Sequence, residues 1–162
     1  DPLWSRGLGD VYKRQVLYNH SALYMFSVMA IVWIADIGAY FSGKAFGKRK
    51  LAPSISPGKS WEGAIGGGIL VLLAAVASIA TPALGDTFAV RLYQTWGWLG
   101  FFAVLILMVA ASIVGDLFES QLKRRAAMKD SSNLLPGHGG VLDRIDALIP
   151  TLPLAALITY WM

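Results

Sequence analysis

The sequence predicts an all-α fold, a polytopic integral membrane bundle of about four transmembrane helices. Three observations point to it. The chain is 56% hydrophobic and 15% charged, with a mean hydropathy of +0.55, whereas an ordinary soluble domain is about 45–50% apolar and about 25% charged. The apolar residues are gathered into runs near the roughly 20 residues that cross a hydrocarbon core. The cations between the runs fall almost entirely on one side. There is no cysteine, which excludes a disulfide framework or a thiolate metal site.

Residues 1–15, DPLWSRGLGDVYKRQ, are polar, mixed in charge and rich in turn formers, and they lack the apolar core of a signal peptide. They resemble translated adapter read-through, which predicts a non-native segment and a membrane region over 16–162 that lacks its own N-terminal half; the other reading is a genuine extramembrane loop. The first span is expected over 22–43 and the second over 61–81. The third is expected over 96–114, with a helical pattern that continues toward Met128. The fourth is expected over 144–162, where Pro150 and Pro153 predict a kink.

Ten of the eleven cations beyond residue 15 lie in the first and third linkers: Lys44, Lys48, Arg49, Lys50 and Lys59 in one, Lys123, Arg124, Arg125, Lys129 and Arg144 in the other. The second linker, 82–95, holds only Arg91. The positive-inside rule makes the basic side cytoplasmic. Trp96, Trp98, Tyr160 and Trp161 suit the opposite interface. Topology explains the sign of these linkers; it does not explain their glycines, serines, prolines and acids.

Asp36 lies inside the first span, where an ionised carboxylate costs about 2.5–3.5 kcal/mol on insertion scales and must face protein, water or a cation. Asp116, Glu119, Ser120, Lys123 and Arg124 follow helical spacings that put acids, a hydroxyl and cations on one face. An interfacial ladder such as Glu119 with Lys123 is one account of that face; a polar site is the other. Asp143 and Asp146 open the fourth span, and capping of the helix N-terminus accounts for one of them. Gly137, Gly139 and Gly140 just ahead allow a turn that aims N–H groups at phosphate oxygens. Oxygen ligands from Asp116 and Asp143 suit magnesium, which keeps several waters and binds substrate phosphates. His138 is open to three roles: ligand, phosphate donor or packed turn residue.

The Gly58-Lys59-Ser60 step invites a P-loop assignment, but the glycine required five positions before Gly58 is Pro53, and no strand is predicted ahead of it. What remains is a Ser/Pro/Gly turn bearing Lys59, with Ser60 as the N-cap of the second span. That helix start is either a seat for an anion or an ordinary capped membrane helix. Gly63, Gly66, Gly67 and Gly68 allow close helix packing, within one chain or across a homodimer.

The residues Ser120, Lys123, Arg124, Lys129, Asp130, Leu135-Pro136-Gly137-His138-Gly139-Gly140, Asp143, Arg144 and Asp146 form a pattern that resembles the phosphatidate cytidylyltransferases. Gly115-Asp116-Leu117 and Glu119 share the likeness. So does the block from Asp36 through Tyr40, Gly43, Phe46, Gly47 and Lys48 to Ser56, Pro57, Lys59, Ser60, Glu62 and Gly63. The resemblance covers about residues 16–162, the C-terminal part of that family's fold. It implies a reaction of CTP with phosphatidic acid, giving CDP-diacylglycerol and pyrophosphate, with Mg2+. The enzyme would sit in a bacterial inner membrane with its active site on the cytoplasmic side, and no nucleic-acid partner is implied.

On that resemblance Asp116, Asp143 and Asp146 are expected to hold magnesium, and Lys123 and Arg124 to neutralise phosphates. Lys59 and Ser60 are expected at the CTP phosphates, with Ser56, Ser120, Lys129 and Arg144 among the substrate-binding groups. His138, Gly137, Gly139 and Gly140 are expected to close over pyrophosphate. Asp36, Glu62 and Glu119 are expected in supporting positions, Asp36 facing the same polar cavity. Two rival readings remain: a CTP-dependent polyprenol or lipid-alcohol kinase, which would release CDP, and an ion or proton transporter using Asp36 and Asp116.

Overall fold

A computed structural model describes residues 21–126 and 145–162; the segment 1–15 lies outside them. In chain order the elements are α1 (Ala22–Phe46), β1 (Lys50–Ala52), β2 (Ser56–Ser60), α2 (Trp61–Ile79), a short 3-10 turn (Pro82–Leu84), α3 (Phe88–Arg125) and α4 (Leu148–Trp161). The helices α1, α2 and α3 are long and apolar enough to cross a bilayer, and the chain is an integral membrane protein. Helix α4 is apolar but has 14 residues, or about 21 Å at about 1.5 Å per residue. No more than a third of each span's apolar window is buried inside the protein. So much outward-facing apolar surface belongs in hydrocarbon, not in water.

The core joins Tyr24, Val28, Ile31 and Ala35 of α1, Val71 and Ala75 of α2, Phe101, Leu105 and Met108 of α3, and Ala155 and Ile158 of α4. The tightest contact is α1 on α2. A Cβ placed on Gly67 would lie 2.5 Å from the Ala35 carbonyl oxygen, and one on Gly63 would lie 2.8 Å from that of Ala39. In hydrocarbon no hydrophobic force draws helices together, so small residues that let backbones touch take over. Gly63, Gly66 and Gly67 of the second span are used here, within one chain.

Three elements differ from the sequence expectations. The third span starts at Phe88, not at 96, and is interrupted at Gly97, whose φ of 63° and ψ of −165° are not helical. Only glycine takes that conformation without strain, so the segment ahead of it turns to bury Phe88, Ala89, Val90 and Leu92. Beyond Gly97 the helix runs on to Arg125, as its pattern suggested.

The first linker is not a plain turn. Contrary to the expectation of no strand near Gly58, β1 and β2 form a two-stranded antiparallel hairpin, with Lys50 opposite Ser60 and Ala52 opposite Ser56. The Trp61 N–H donates to the Arg49 carbonyl at 3.0 Å, extending the pairing into the start of α2. Pro53 still stands where a P-loop needs glycine. Finally, α4 begins at Leu148, within the span expected over 144–162, and it carries Pro153 in its interior. Pro150 lies in its first turn, where the missing N–H has no helical partner to lose.

The α1–α2 contact yields a paired test. Gly67→Leu should lower the thermal midpoint of the detergent-solubilised protein by several degrees, or abolish its monodisperse elution, because the added side chain meets backbone. Gly68→Ala, whose Cβ would find only Val109 at 3.9 Å, should leave the midpoint within about a degree.

Candidate functional site

The site is built at the end of the bundle where the hairpin meets α2 and α3. Ser60 caps α2: its Oγ accepts the Gly63 N–H at 3.1 Å and the residue is buried. One residue into the helix, Glu62 reaches back to the α1–β1 connection, where its Oε2 accepts the N–H groups of Lys48 at 3.2 Å and Arg49 at 3.1 Å. Both bonds tie the hairpin to the first turn of α2. Lys59, at the end of β2, is thereby set against α3, and its Nζ donates to Asp116 Oδ2 in an ion pair.

Beside that pair lies a cavity of about 260 Å³. Its polar lining comes from Asp36 and Tyr40 of α1, Lys59 and Ser60 of the hairpin, and Ser112 and Asp116 of α3. The small residues Ala39, Gly63 and Gly67 line it as well. The charges acting on Asp36 are those of Asp116 and Lys59. The membrane-embedded acid therefore has protein and a cation beside it, as the cost of its insertion demands.

Two further acids stand next to Asp116. Glu119, one turn along α3, is 4% exposed, and Lys123 one turn further pairs with it at 2.7 Å. Asp146 comes from the residues leading into α4, where its Oδ1 accepts the Ala147 N–H at 2.7 Å. It can approach because position 115 is glycine: a Cβ there would lie 2.6 Å from Pro150 Cγ and 2.8 Å from the Asp146 carbonyl oxygen. Asp116, Glu119 and Asp146 each offer a carboxylate oxygen, and the three oxygens lie within 4.8 Å of one another. This all-oxygen, anionic donor set fits a hard dication such as magnesium and does not favour a thiophilic metal.

The structure thus brings Asp36, Lys59, Ser60 and Asp116 to one cavity, with Glu119, Lys123 and Asp146 adjoining it. Arg124 extends from the end of α3 to the hairpin, where its Nε donates to the Ile55 carbonyl at 3.3 Å. Ser120 is half-buried on α3, and Ser56 opens β2. Glu62 is turned to the backbone of the α1–β1 connection. Lys129, Gly137, His138, Gly139, Gly140, Asp143 and Arg144 lie outside the described residues.

Sequence reasoning gave no role to Tyr40 or Ser112 and did not place Glu119 among the metal-ligand candidates. The signal was helical spacing: Tyr40 is four residues beyond Asp36, Ser112 four before Asp116, and Glu119 three after it. The opposite end of the bundle has its own polar knot. Arg91 pairs with Asp86 at 2.6 Å and lies 5.6 Å from the centre of the Tyr24 ring. The Tyr24 hydroxyl and Thr159 Oγ1 are 2.7 Å apart.

Comparison with known proteins gives one consistent match. Residues 13–162 fit the model of the Cytidylyltransferase family. The chain is 50% identical over 137 residues to a phosphatidate cytidylyltransferase of Haemophilus influenzae, covering 83% of this chain and 44% of that protein. It is 55% identical over 134 residues to one of Pseudomonas aeruginosa, covering 83% and 46%. With one of Bacillus subtilis it shares 41% over 137 residues, covering 85% and 47%. The chain thus spans about half the length of the curated relatives it matches.

The approach at Gly115 can be tested directly. Gly115→Ala should push the start of α4 away from α3 and weaken Mn2+ binding, read by electron paramagnetic resonance of the free ion, by roughly tenfold. Affinity equal to wild type would mean that the Asp116–Asp146 approach does not depend on this glycine.

Proposed function

The chain belongs to the cytidylyltransferase family, and from that premise we propose that it forms the catalytic half of an enzyme joining CTP to phosphatidic acid. The products are CDP-diacylglycerol and pyrophosphate. The observation that carries this reading is the convergence of a hairpin lysine, a helix N-terminus and two carboxylates, Asp36 and Asp116, at one cavity that reaches into the apolar bundle, with Glu119 and Asp146 beside Asp116. A soluble nucleotide and a lipid headgroup meet only at a membrane interface, and this cavity opens at the end that bears the basic linkers. By the positive-inside rule that end faces the cytoplasm, across the inner membrane of a bacterium.

The nucleophile is a phosphate oxygen of phosphatidic acid. It attacks the α-phosphorus of CTP; a new P–O bond forms, the bond to the β-phosphate oxygen breaks, and pyrophosphate leaves with that electron pair. The attacking oxygen is already anionic, so no strong base is needed. The barrier comes from bringing two anions together, and the protein's contribution is positioning and charge neutralisation.

Lys59, set beside the Ser60 cap, meets the nucleotide phosphates, and the dipole of α2 adds a partial positive charge at its N-terminus. Ser56 and Ser120 donate hydroxyls from the hairpin and from α3. Lys123 and Arg124 neutralise phosphate at the interface, and Lys129 and Arg144 add to the basic charge that receives the substrates. Gly137, His138, Gly139 and Gly140 give N–H and imidazole donors to the departing pyrophosphate. Asp116, Asp146, Glu119 and Asp143 would hold Mg2+, which when bound draws charge from the reacting phosphates and fixes their relative orientation. Asp36 keeps the cavity hydrated and orients Lys59.

The test is a CTP-to-lipid assay on the complete protein that contains this sequence, with both products identified by mass. CDP-diacylglycerol and pyrophosphate are expected; CDP with a phosphorylated lipid alcohol would replace this reading with a kinase. Asp143→Asn should lower turnover by roughly a hundredfold or more at unchanged protein level. Turnover near wild type would remove Asp143 from the metal set.

A further inference from the structure

We propose that Lys59 exchanges partners during each cycle: its ammonium neutralises Asp116 until nucleotide and dication arrive, then releases it to the metal and turns to a nucleotide phosphate. The proposal rests on the cytidylyltransferase reading and adds to it a competition between a lysine and a metal for one carboxylate.

The starting observation is that Asp116 belongs to two groups at once. Its Oδ2 accepts the Lys59 ammonium, and a carboxylate oxygen of the same residue lies within 4.8 Å of oxygens from Glu119 and Asp146. A dication and an ammonium held on one carboxylate repel strongly at that range. Either Lys59 leaves or the metal binds weakly.

Lys59 has both the freedom and the room to leave. It is carried on a two-stranded hairpin, an element that is only marginally stable by itself. Gly58, next to it, would meet no atom within 4 Å even with an added Cβ. The lysine side chain swings on four carbons, and the cavity of about 260 Å³ adjoins its Nζ.

Charge then dictates the order of events. Nucleotide without metal would have to draw Lys59 off Asp116 and leave a part-buried carboxylate without its cation, which is costly. Metal without nucleotide would displace Lys59 with no anion to receive it, except toward Asp36, the other acid of the cavity. A metal–nucleotide complex supplies both replacements together. The ion pair therefore couples the two ligands: each weakens the lock that opposes the other.

The experiment measures binding of Mn2+ alone, by electron paramagnetic resonance of the free ion, to the complete protein in detergent. Lys59→Gln removes the competing charge and should bind Mn2+ roughly fivefold or more tightly than wild type. The same variant should bind CTP in saturating Mn2+ at least tenfold more weakly. Loss of fold lowers both affinities, so a rise in the first cannot come from damage. Lys59→Arg keeps the charge and should keep wild-type Mn2+ affinity.

Unchanged or weaker Mn2+ binding in a Lys59→Gln protein that elutes like wild type would overturn the proposal. So would a Lys59→Arg protein that binds the ion as tightly as Lys59→Gln. A wild-type protein that binds Mn2+ but no CTP would instead refute the cytidylyltransferase reading, with the Mn2+ comparison still deciding whether lysine and metal compete.

Discussion

A carboxylate within a membrane protein must be given a counter-charge, and the pairing of Lys59 with Asp116 is where this molecule meets that demand. Lys59 is not on a membrane helix. It is brought to α3 by a hairpin, and the hairpin is held by Glu62 from the first turn of α2. The position of one ammonium thus depends on the Ser60 cap, on the Glu62 bonds and on the closeness of α1 to α2. Loss of any of these would leave Asp116 and Asp36 short of positive charge in a low-dielectric setting.

The helix packing serves the same end. Gly63 and Gly67 bring α1 and α2 into backbone contact, which sets Asp36 of α1 and Lys59 ahead of α2 on the same cavity. Gly115 does the corresponding job between α3 and the start of α4, which sets Asp146 near Asp116. At both contacts a glycine lies within a few residues of an acid. Close packing is usually read as a device for stability in membranes; here it also fixes the separations between charges. At the opposite end Arg91 and Asp86 satisfy each other directly, in an arrangement that tethers α1, α3 and α4 through Tyr24 and Thr159.

Much of this was legible in the sequence because hydropathy and helical spacing report on long elements. The limits of α1 and α2, the Ser60 cap, the run of α3 to Arg125 and the shared face of Asp116 and Glu119 all follow from periodicity and capping chemistry. The hairpin was not legible. Its strands are three and five residues long and hold Pro57, Gly58 and lysines without apolar alternation. Its register comes from tertiary bonds to Arg49 and Glu62, which no local pattern announces. The break at Gly97 was hidden for a related reason. Glycine in an apolar run reads equally as a packing residue, and only the backbone conformation separates the two. The site was half legible: the acids could be nominated, but which acids meet depends on the approach of α4 at Gly115.

A count of charge at the site explains why it suits the chemistry proposed for it. Among the described residues, Asp36, Asp116, Glu119 and Asp146 contribute four formal negative charges, and Lys59 and Lys123 return two positive ones. The balance is two negative charges, in a setting where uncompensated charge is expensive. A dication bound beside Lys59 would cancel that balance in number, but the two cations would repel each other on Asp116. Once a polyanion draws Lys59 away, the acids attract the dication more strongly and the dication in turn attracts the phosphates. On the proposed exchange of Lys59, the binding of each ligand would depend on the other, which suits the transfer proposed between two mutually repelling phosphates.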